Sequence, residues 1–143
     1  MRRIGWLGGL ALALLVACQS SSADFQLGPT DANVAGQFVL VSINSNPLPV
    51  PALVTTTESW ALTSDTLSIT ADGQWTETTV YVVTQSSDGS TATRSTSSGG
   101  TYTIADQKIN FTQTDGGAVF TGSVQGSSLT LLFNGGHFFY VRT

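Results

Sequence analysis

From Gly36 onward, the chain alternates apolar and polar residues in short runs rich in Val, Ile, Thr, Phe and Tyr. Leu67 and Ile69 mark one face of such a run, and Ile109 and Phe111 mark one face of another, with polar residues between them. A period of two residues is typical of a β-strand with one buried face. We therefore predict strands over residues 37–44, 66–70, 74–84, 101–104, 108–112, 118–123, 128–133 and 137–142.

Turn-forming residues separate most of these strands. Asp72-Gly73 and Asn134-Gly135, for example, are dipeptides typical of tight turns between paired strands. Loops this short join neighbouring strands in antiparallel pairs. About eight to ten such strands can bury a common apolar face by curling into a closed barrel, which also removes exposed sheet edges. The sequence thus predicts an all-β fold, an antiparallel up-and-down β-barrel.

Two segments allow more than one interpretation. In residues 45–62, three prolines remove backbone donors, and a further strand over 54–62 with Trp60 facing inward is one alternative. Residues 86–98 are rich in Ser and Thr and form either a long mobile loop or a protruding hairpin around Asp88-Gly89. We favour the hairpin, because Thr91, Thr93 and Arg94 suit extended structure.

The N-terminus has the pattern of a bacterial lipoprotein signal. Arg2 and Arg3 precede an apolar run, and small residues lead to Cys18, the one cysteine in the chain. We therefore predict a signal peptide over residues 1–17 and lipidation of Cys18. Residues 4–17 are too few to cross a bilayer core, which needs about 20 apolar residues. Acyl chains on Cys18, such as palmitate, would instead anchor the protein to a membrane of the cell envelope.

The residue after the cysteine bears on which membrane holds the anchor. Gln19 stands where many Gram-negative lipoproteins of the inner membrane carry Asp. The outer membrane is therefore favoured in a Gram-negative host, whereas a Gram-positive host would void that inference. Residues 18–35, rich in Ser, Asp and Asn, are predicted to form a flexible tether, and residues 36–143 the barrel domain.

The charge and the reactive residues exclude several classes of function. After cleavage, nine acidic residues face three basic ones, a net charge of −6, which argues against nucleic acid as a partner. His137 is the one histidine and has no nearby carboxylate in sequence, and spacing does not pair Glu58 with Glu77 as acid and base. We therefore expect a non-catalytic protein with no metal or other cofactor.

Four segments resemble bacterial lipocalin-like lipoprotein domains of the calycin group. They are Gly36-Gln37-Phe38-Val39-Leu40, Ala71-Asp72-Gly73-Gln74-Trp75, Gly100-Thr101-Tyr102-Thr103-Ile104 and Tyr140-Val141-Arg142. The resemblance implies a barrel closed at one end by an aromatic ring of the first strand beneath a basic residue of the last. Gly36, Phe38 and Arg142 match that arrangement, with Phe in place of the usual Trp, and a cation–π contact between Arg142 and Phe38 is implied.

An eight-stranded barrel is either filled by side chains or wide enough for one small ligand. Core packing is the simpler explanation for any single aromatic residue, but six are candidates for lining a ligand pocket: Trp60, Trp75, Tyr102, Phe111, Phe133 and Tyr140. Two functional hypotheses follow. The protein binds a small hydrophobic or amphipathic molecule inside the barrel, or a filled barrel serves as a structural or protein-interaction module through residues 86–98 and 47–51. A monomer is expected in either case.

Overall fold

The computed structural model describes residues 34–143, and its ten regular elements are all β-strands. They are β1 (Gly36–Ile43), β2 (Asn46–Pro47), β3 (Val50–Val54), β4 (Glu58–Ile69), β5 (Gln74–Gln85), β6 (Thr91–Ala105), β7 (Lys108–Gln113), β8 (Val119–Gln125), β9 (Ser128–Phe133) and β10 (Gly136–Arg142). The predicted all-β fold is confirmed. The predicted signal peptide, Cys18 and the tether up to residue 33 lie outside the described residues.

Eight of the strands close an antiparallel barrel. From β4 to β10 each strand pairs with the next in the chain, and β1 pairs with both β10 and β4. Phe38 of β1 shows the closure, because it lies opposite Arg142 of β10 and Leu67 of β4. Strands β2 and β3 pair with β1 and β4 and add to the ring of eight. The predicted up-and-down barrel is therefore confirmed.

Two-residue turns set the register of several strand pairs. Asp106-Gln107 joins β6 to β7, and Asn134-Gly135 joins β9 to β10. All four residues have positive φ, at 51°, 61°, 48° and 78° respectively. A turn with positive φ at both central positions has the twist that suits the two flanking strands. Local sequence thus positions these hairpins before any packing is considered.

Strand β4 is one continuous strand, whereas the sequence predicted a strand over 66–70 and left a further strand over 54–62 as an alternative. A bulge between Leu62 and Ser64 interrupts its register against β5. The bulge shifts the alternation, so that Leu62 and Asp65, three residues apart, are both buried. The predicted start at residue 66 was too late, because a bulged strand does not keep a period of two.

Strands β5 and β6 form the hairpin that the sequence favoured over a mobile loop. They pair from Gln74 and Thr101 to Thr84 and Thr91, and the turn between them contains Asp88-Gly89. Strand β6 therefore begins ten residues before the predicted start at 101. Parts of β4, β5 and β6 continue beyond the pairing of β4 with β1 and of β6 with β7, and we call residues 58–62, 80–85 and 91–96 the upper extension.

The proline-rich segment is not a free loop along its whole length. It contains β2 and β3, and the side chains of Leu48 and Val50 pack against the core. Leu53 and Val54, by contrast, are exposed, and 73% of Val54 is accessible. One part of this segment therefore contributes to the core and the other faces solvent beside the upper extension.

The two ends of the barrel differ in how they are packed. We call the end that holds Gly36 and Arg142 the lower end and the opposite one the upper end. The lower half is filled by almost completely buried side chains: Phe38, Leu67, Ile69, Ile109, Phe111 and Leu129. A Cβ atom on Gly122 would lie 2.7 Å from Cδ2 of Leu131 and 3.1 Å from the Phe111 ring, so a larger residue here would have to displace these packed side chains.

Candidate ligand-binding site

An arginine over an aromatic ring closes the lower end. The guanidinium carbon of Arg142 lies 4.7 Å from the centre of the Phe38 ring, and its Nη1 donates a 2.6 Å hydrogen bond to the carbonyl of Ala35. A Cβ atom on Gly36 would lie 2.7 Å from that Nη1, so glycine leaves room for the guanidinium. Gly36, Phe38 and Arg142, the three residues predicted to close the barrel, are therefore in contact at this end. Ala35 and the buried Val34, assigned to the tether from sequence, also belong to this end.

Aromatic rings occupy the centre of the barrel above this closure. Phe111 and Phe120 stack with ring centres 4.9 Å apart, and Trp75 contacts Phe120 edge-on at 5.3 Å. The indole Nε1 of Trp75 donates to the carbonyl of Thr101 at 3.1 Å. Since its polar atom is satisfied inside the barrel, the ring is held in one orientation.

A pocket of about 80 Å³ lies above these rings, toward the upper end. It is lined by Trp75, Glu77, Ser98, Gln113, Phe120, Leu131, Phe133, Phe138 and Tyr140. Strands β5 to β10 all contribute, because each turns alternate residues inward. Phe133 is 36% exposed, so the pocket reaches the surface at this end. The lining is mostly apolar, with a few polar groups on one side.

Three of the six predicted pocket residues line this pocket, namely Trp75, Phe133 and Tyr140. Tyr102 and Phe111 are instead buried in the filled part of the core. The Tyr102 hydroxyl donates to the carbonyl of Thr70 at 2.7 Å. For these two residues the simpler explanation of core packing is the right one, since they lie too near the lower end.

Trp60 lies apart from the pocket, in the upper extension. Its ring contacts Tyr81 edge-on at 5.6 Å, and the guanidinium carbon of Arg94 lies 5.5 Å from its centre. The indole Nε1 is buried without a hydrogen-bond partner. The position of Trp60 beyond the barrel follows from the length of β4, which the sequence did not reveal.

A pair of carboxyl groups lies inside the barrel, and the sequence analysis did not find it. Asp65 of β4 is only 4% exposed, and its Oδ2 accepts a 2.7 Å hydrogen bond from the Thr79 hydroxyl. The Tyr140 hydroxyl lies 3.2 Å from Oδ1 of Asp65 and 3.4 Å from Oε1 of Glu77. The other carboxyl oxygen of Glu77 accepts from Ser98 at 2.9 Å. Tyr140 therefore bridges two acidic groups, and Glu77 faces the pocket.

These contacts raise the pKa of two groups in the barrel. Burial and the nearby charge of Glu77 raise the pKa of Asp65 from 3.8 to about 7, although hydrogen bonds from Thr79 and Tyr140 oppose the change. Burial and the two carboxyl groups also raise the pKa of the Tyr140 hydroxyl, which stays protonated. One hydroxyl proton cannot satisfy two carboxylates at once, so a proton on Asp65 completes the network near neutral pH.

Both members of this acidic pair had a signal in the sequence. Glu77 alternates with Trp75 and Thr79 in β5, so a strand that buries Trp75 also turns Glu77 inward. Asp65 alternates with Leu67 and Ile69 in β4 and so shares their buried face, whereas counting from Leu62 across the bulge assigns it to the wrong face. The sequence analysis did not pair these two residues, and they are adjacent in the folded barrel.

Within residues 34–143, no group of three or more His, Cys, Asp and Glu side chains is arranged to hold a metal ion. The same residues include no helix long and apolar enough to span a bilayer. Comparisons with protein-family models, curated proteins and solved structures found no match. The site must therefore be interpreted from its own geometry.

Proposed function

We propose that this protein is a non-catalytic binding protein, anchored by lipid in the bacterial cell envelope, that holds a small amphipathic molecule in the upper pocket. The observation that carries the proposal is the pocket itself, an apolar cavity with polar groups on one side and an opening to the surface. A mostly hydrophobic lining with a few polar groups at defined positions is typical of small-molecule binding sites.

The two sides of the pocket suggest how a ligand is oriented. Phe120, Leu131 and Phe138 offer apolar contact, while Glu77 and Gln113 offer polar groups. A ligand with an apolar part and a hydrogen-bond donor can satisfy both sides. A purely apolar molecule would leave the carboxylate of Glu77 without its water, at a cost in binding free energy.

The size of the pocket limits the group that enters it. A dry cavity of ~150 Å³ is enough for benzene. At about 80 Å³, the upper pocket takes a smaller group of a few heavy atoms. The rest of a larger ligand would extend past Phe133, which is partly exposed at the mouth. We therefore propose a compact ligand, or a compact end group of a longer one.

One further point supports ligand binding over a filled interaction module, and a second concerns the location of the protein. The pocket is open space in the upper half of the barrel, where a solid scaffold needs none. The membrane anchor is supported by sequence alone, through the arginines, the apolar run and Cys18 at the N-terminus. A lipid-anchored barrel would present its pocket in the solution next to the membrane.

The binding function can be tested with three small molecules that have similar shapes but different charges. Full-length protein in lipid nanodiscs is titrated with choline, with its neutral isostere 3,3-dimethyl-1-butanol and with the anion 3,3-dimethylbutyrate, against empty nanodiscs as the blank. Ser98→Leu fills the pocket, whereas Ser97→Leu places the same bulk on the exposed outer face of β6. We expect at least one probe to bind the wild type and Ser97→Leu but not Ser98→Leu. If no probe binds in the millimolar range, or if Ser98→Leu binds equally well, the proposed function is wrong.

A further inference from the structure

Four aromatic rings besides that of Tyr140 line the upper pocket. Trp75 and Phe120 meet at 79°, and Phe120 and Phe133 meet at 71°. Phe138 completes the lining on β10. All four rings line the pocket, and the face of an aromatic ring attracts a cation because it carries partial negative charge.

The polar side of the same pocket is acidic. Glu77 lines it directly, and Asp65 lies behind Glu77 across the Tyr140 hydroxyl. In a site of low dielectric, even one ionised carboxylate creates a strong negative potential. Strand β1, which also pairs with β4, contributes the apolar Phe38 and Leu40 to the interior, so it does not offset this charge.

The basic side chains of residues 34–143 lie elsewhere. Lys108 begins β7 at the lower end, and Arg142 covers Phe38 there. Arg94 is on the inward-facing side of β6, but it is four residues from Ser98, roughly 13 Å at the usual rise of a strand. Its guanidinium lies over Trp60. Within the described part of the chain, the pocket lining therefore contains carboxylate and aromatic groups but no ammonium or guanidinium group.

We infer that the upper pocket selects a small organic cation, an alkylammonium group, over neutral or anionic groups of the same shape. The inference rests on the proposed function and names its ligand class. An alkylammonium carries methyl or methylene groups for the rings and a positive charge for Glu77. A neutral isostere gains the apolar contacts alone, and an anion is repelled by the carboxylate.

The three isosteric probes separate this inference from the proposed function. We expect choline to bind about tenfold or more tightly than 3,3-dimethyl-1-butanol, since a desolvated cation–π contact and an ion pair together exceed the ~1.4 kcal/mol that a factor of ten requires. We expect 3,3-dimethylbutyrate to bind most weakly. If the neutral alcohol or the anion binds as tightly as choline, the inference is overturned and the proposed function stands. If no probe binds, both are overturned.

A charge-neutral variant tests the role of Glu77 itself. Glu77→Gln keeps the size of the side chain and removes its charge, so we expect the preference for choline over the alcohol to fall to about threefold or less. Glu58→Gln is the matched control, because it removes the same charge from the top of β4, where Glu58 contacts Gln85. An unchanged preference in Glu77→Gln would contradict the inference. If this variant does not fold, the comparison of the three probes on the wild type remains decisive.

Discussion

The buried Asp65 makes a measurable prediction about stability and pH. Its folded pKa of about 7 lies above the ordinary value of 3.8, because burial and Glu77 disfavour the ionised form. Between about pH 4 and pH 7, the folded state therefore holds a proton that the unfolded state has already released. By linkage, this group lowers the stability progressively as the pH rises through that window, and the loss is complete above the folded pKa.

The size of the effect follows from the same two values. At about 1.4 kcal/mol for each pH unit, the interval from 3.8 to about 7 corresponds to at most about 4 kcal/mol. Asp65→Asn removes the titration and keeps a group that can accept from Thr79 and donate to Glu77. We expect its free energy of unfolding, relative to the wild type, to rise by about 2–4 kcal/mol between pH 4 and pH 8.

The measurement is urea denaturation of the full-length protein in detergent at four pH values, followed by far-ultraviolet circular dichroism. Taking the difference between variant and wild type cancels all other titrating groups that the mutation leaves unchanged. Asp115→Asn is the control, because Asp115 is an exposed turn residue, and its difference should stay within about 0.5 kcal/mol at every pH. The reasoning is refuted if the difference for Asp65→Asn does not change with pH, or if it falls as the pH rises.

Three further predictions concern the closure, the anchor and the pocket. Arg142→Gln should lower the free energy of unfolding by about 1–3 kcal/mol, through loss of the cation–π contact and a charged hydrogen bond, whereas Lys108→Gln should change it little in the same urea titration. Cys18→Ser should abolish metabolic labelling with radioactive palmitate, and labelling that persists would contradict lipidation of this residue. Choline should bind more tightly at pH 8 than at pH 5.5, because Asp65 is ionised at pH 8. Titration calorimetry that finds an equal or weaker affinity at pH 8 would contradict this prediction.

The prediction of the fold succeeded where local signals agreed with one another. The turns at 106–107 and 134–135 use residues that adopt positive φ, and the flanking strands alternate cleanly. The start of β4 was predicted too late because its bulge breaks the period of two. The upper part of β6 was expected only as a favoured hairpin beside a loop alternative, because Ser and Thr in the upper extension are exposed and no apolar alternation marks a strand there.

The site was less predictable than the fold. The alternation along each strand places Trp75, Phe133 and Tyr140 on the inward face of the barrel. It places Tyr102 and Phe111 on that face equally well. Which inward residues border the pocket depends on their height along the barrel axis. That height is set by the register of eight paired strands and cannot be read from one strand alone.

Sequence alone determined that this protein is an all-β barrel, and it supplies the whole case for a lipid anchor at Cys18. Alternation and turn chemistry are local properties, since each depends on residues a few positions apart. Only the tertiary structure decided that Asp65 and Glu77 belong to one hydrogen-bond network beside a pocket lined by aromatic rings. Asp65 and Glu77 lie on the paired strands β4 and β5, but Tyr140 comes from β10, and closure of the barrel through β1 brings its hydroxyl within hydrogen-bond reach of both carboxyl groups.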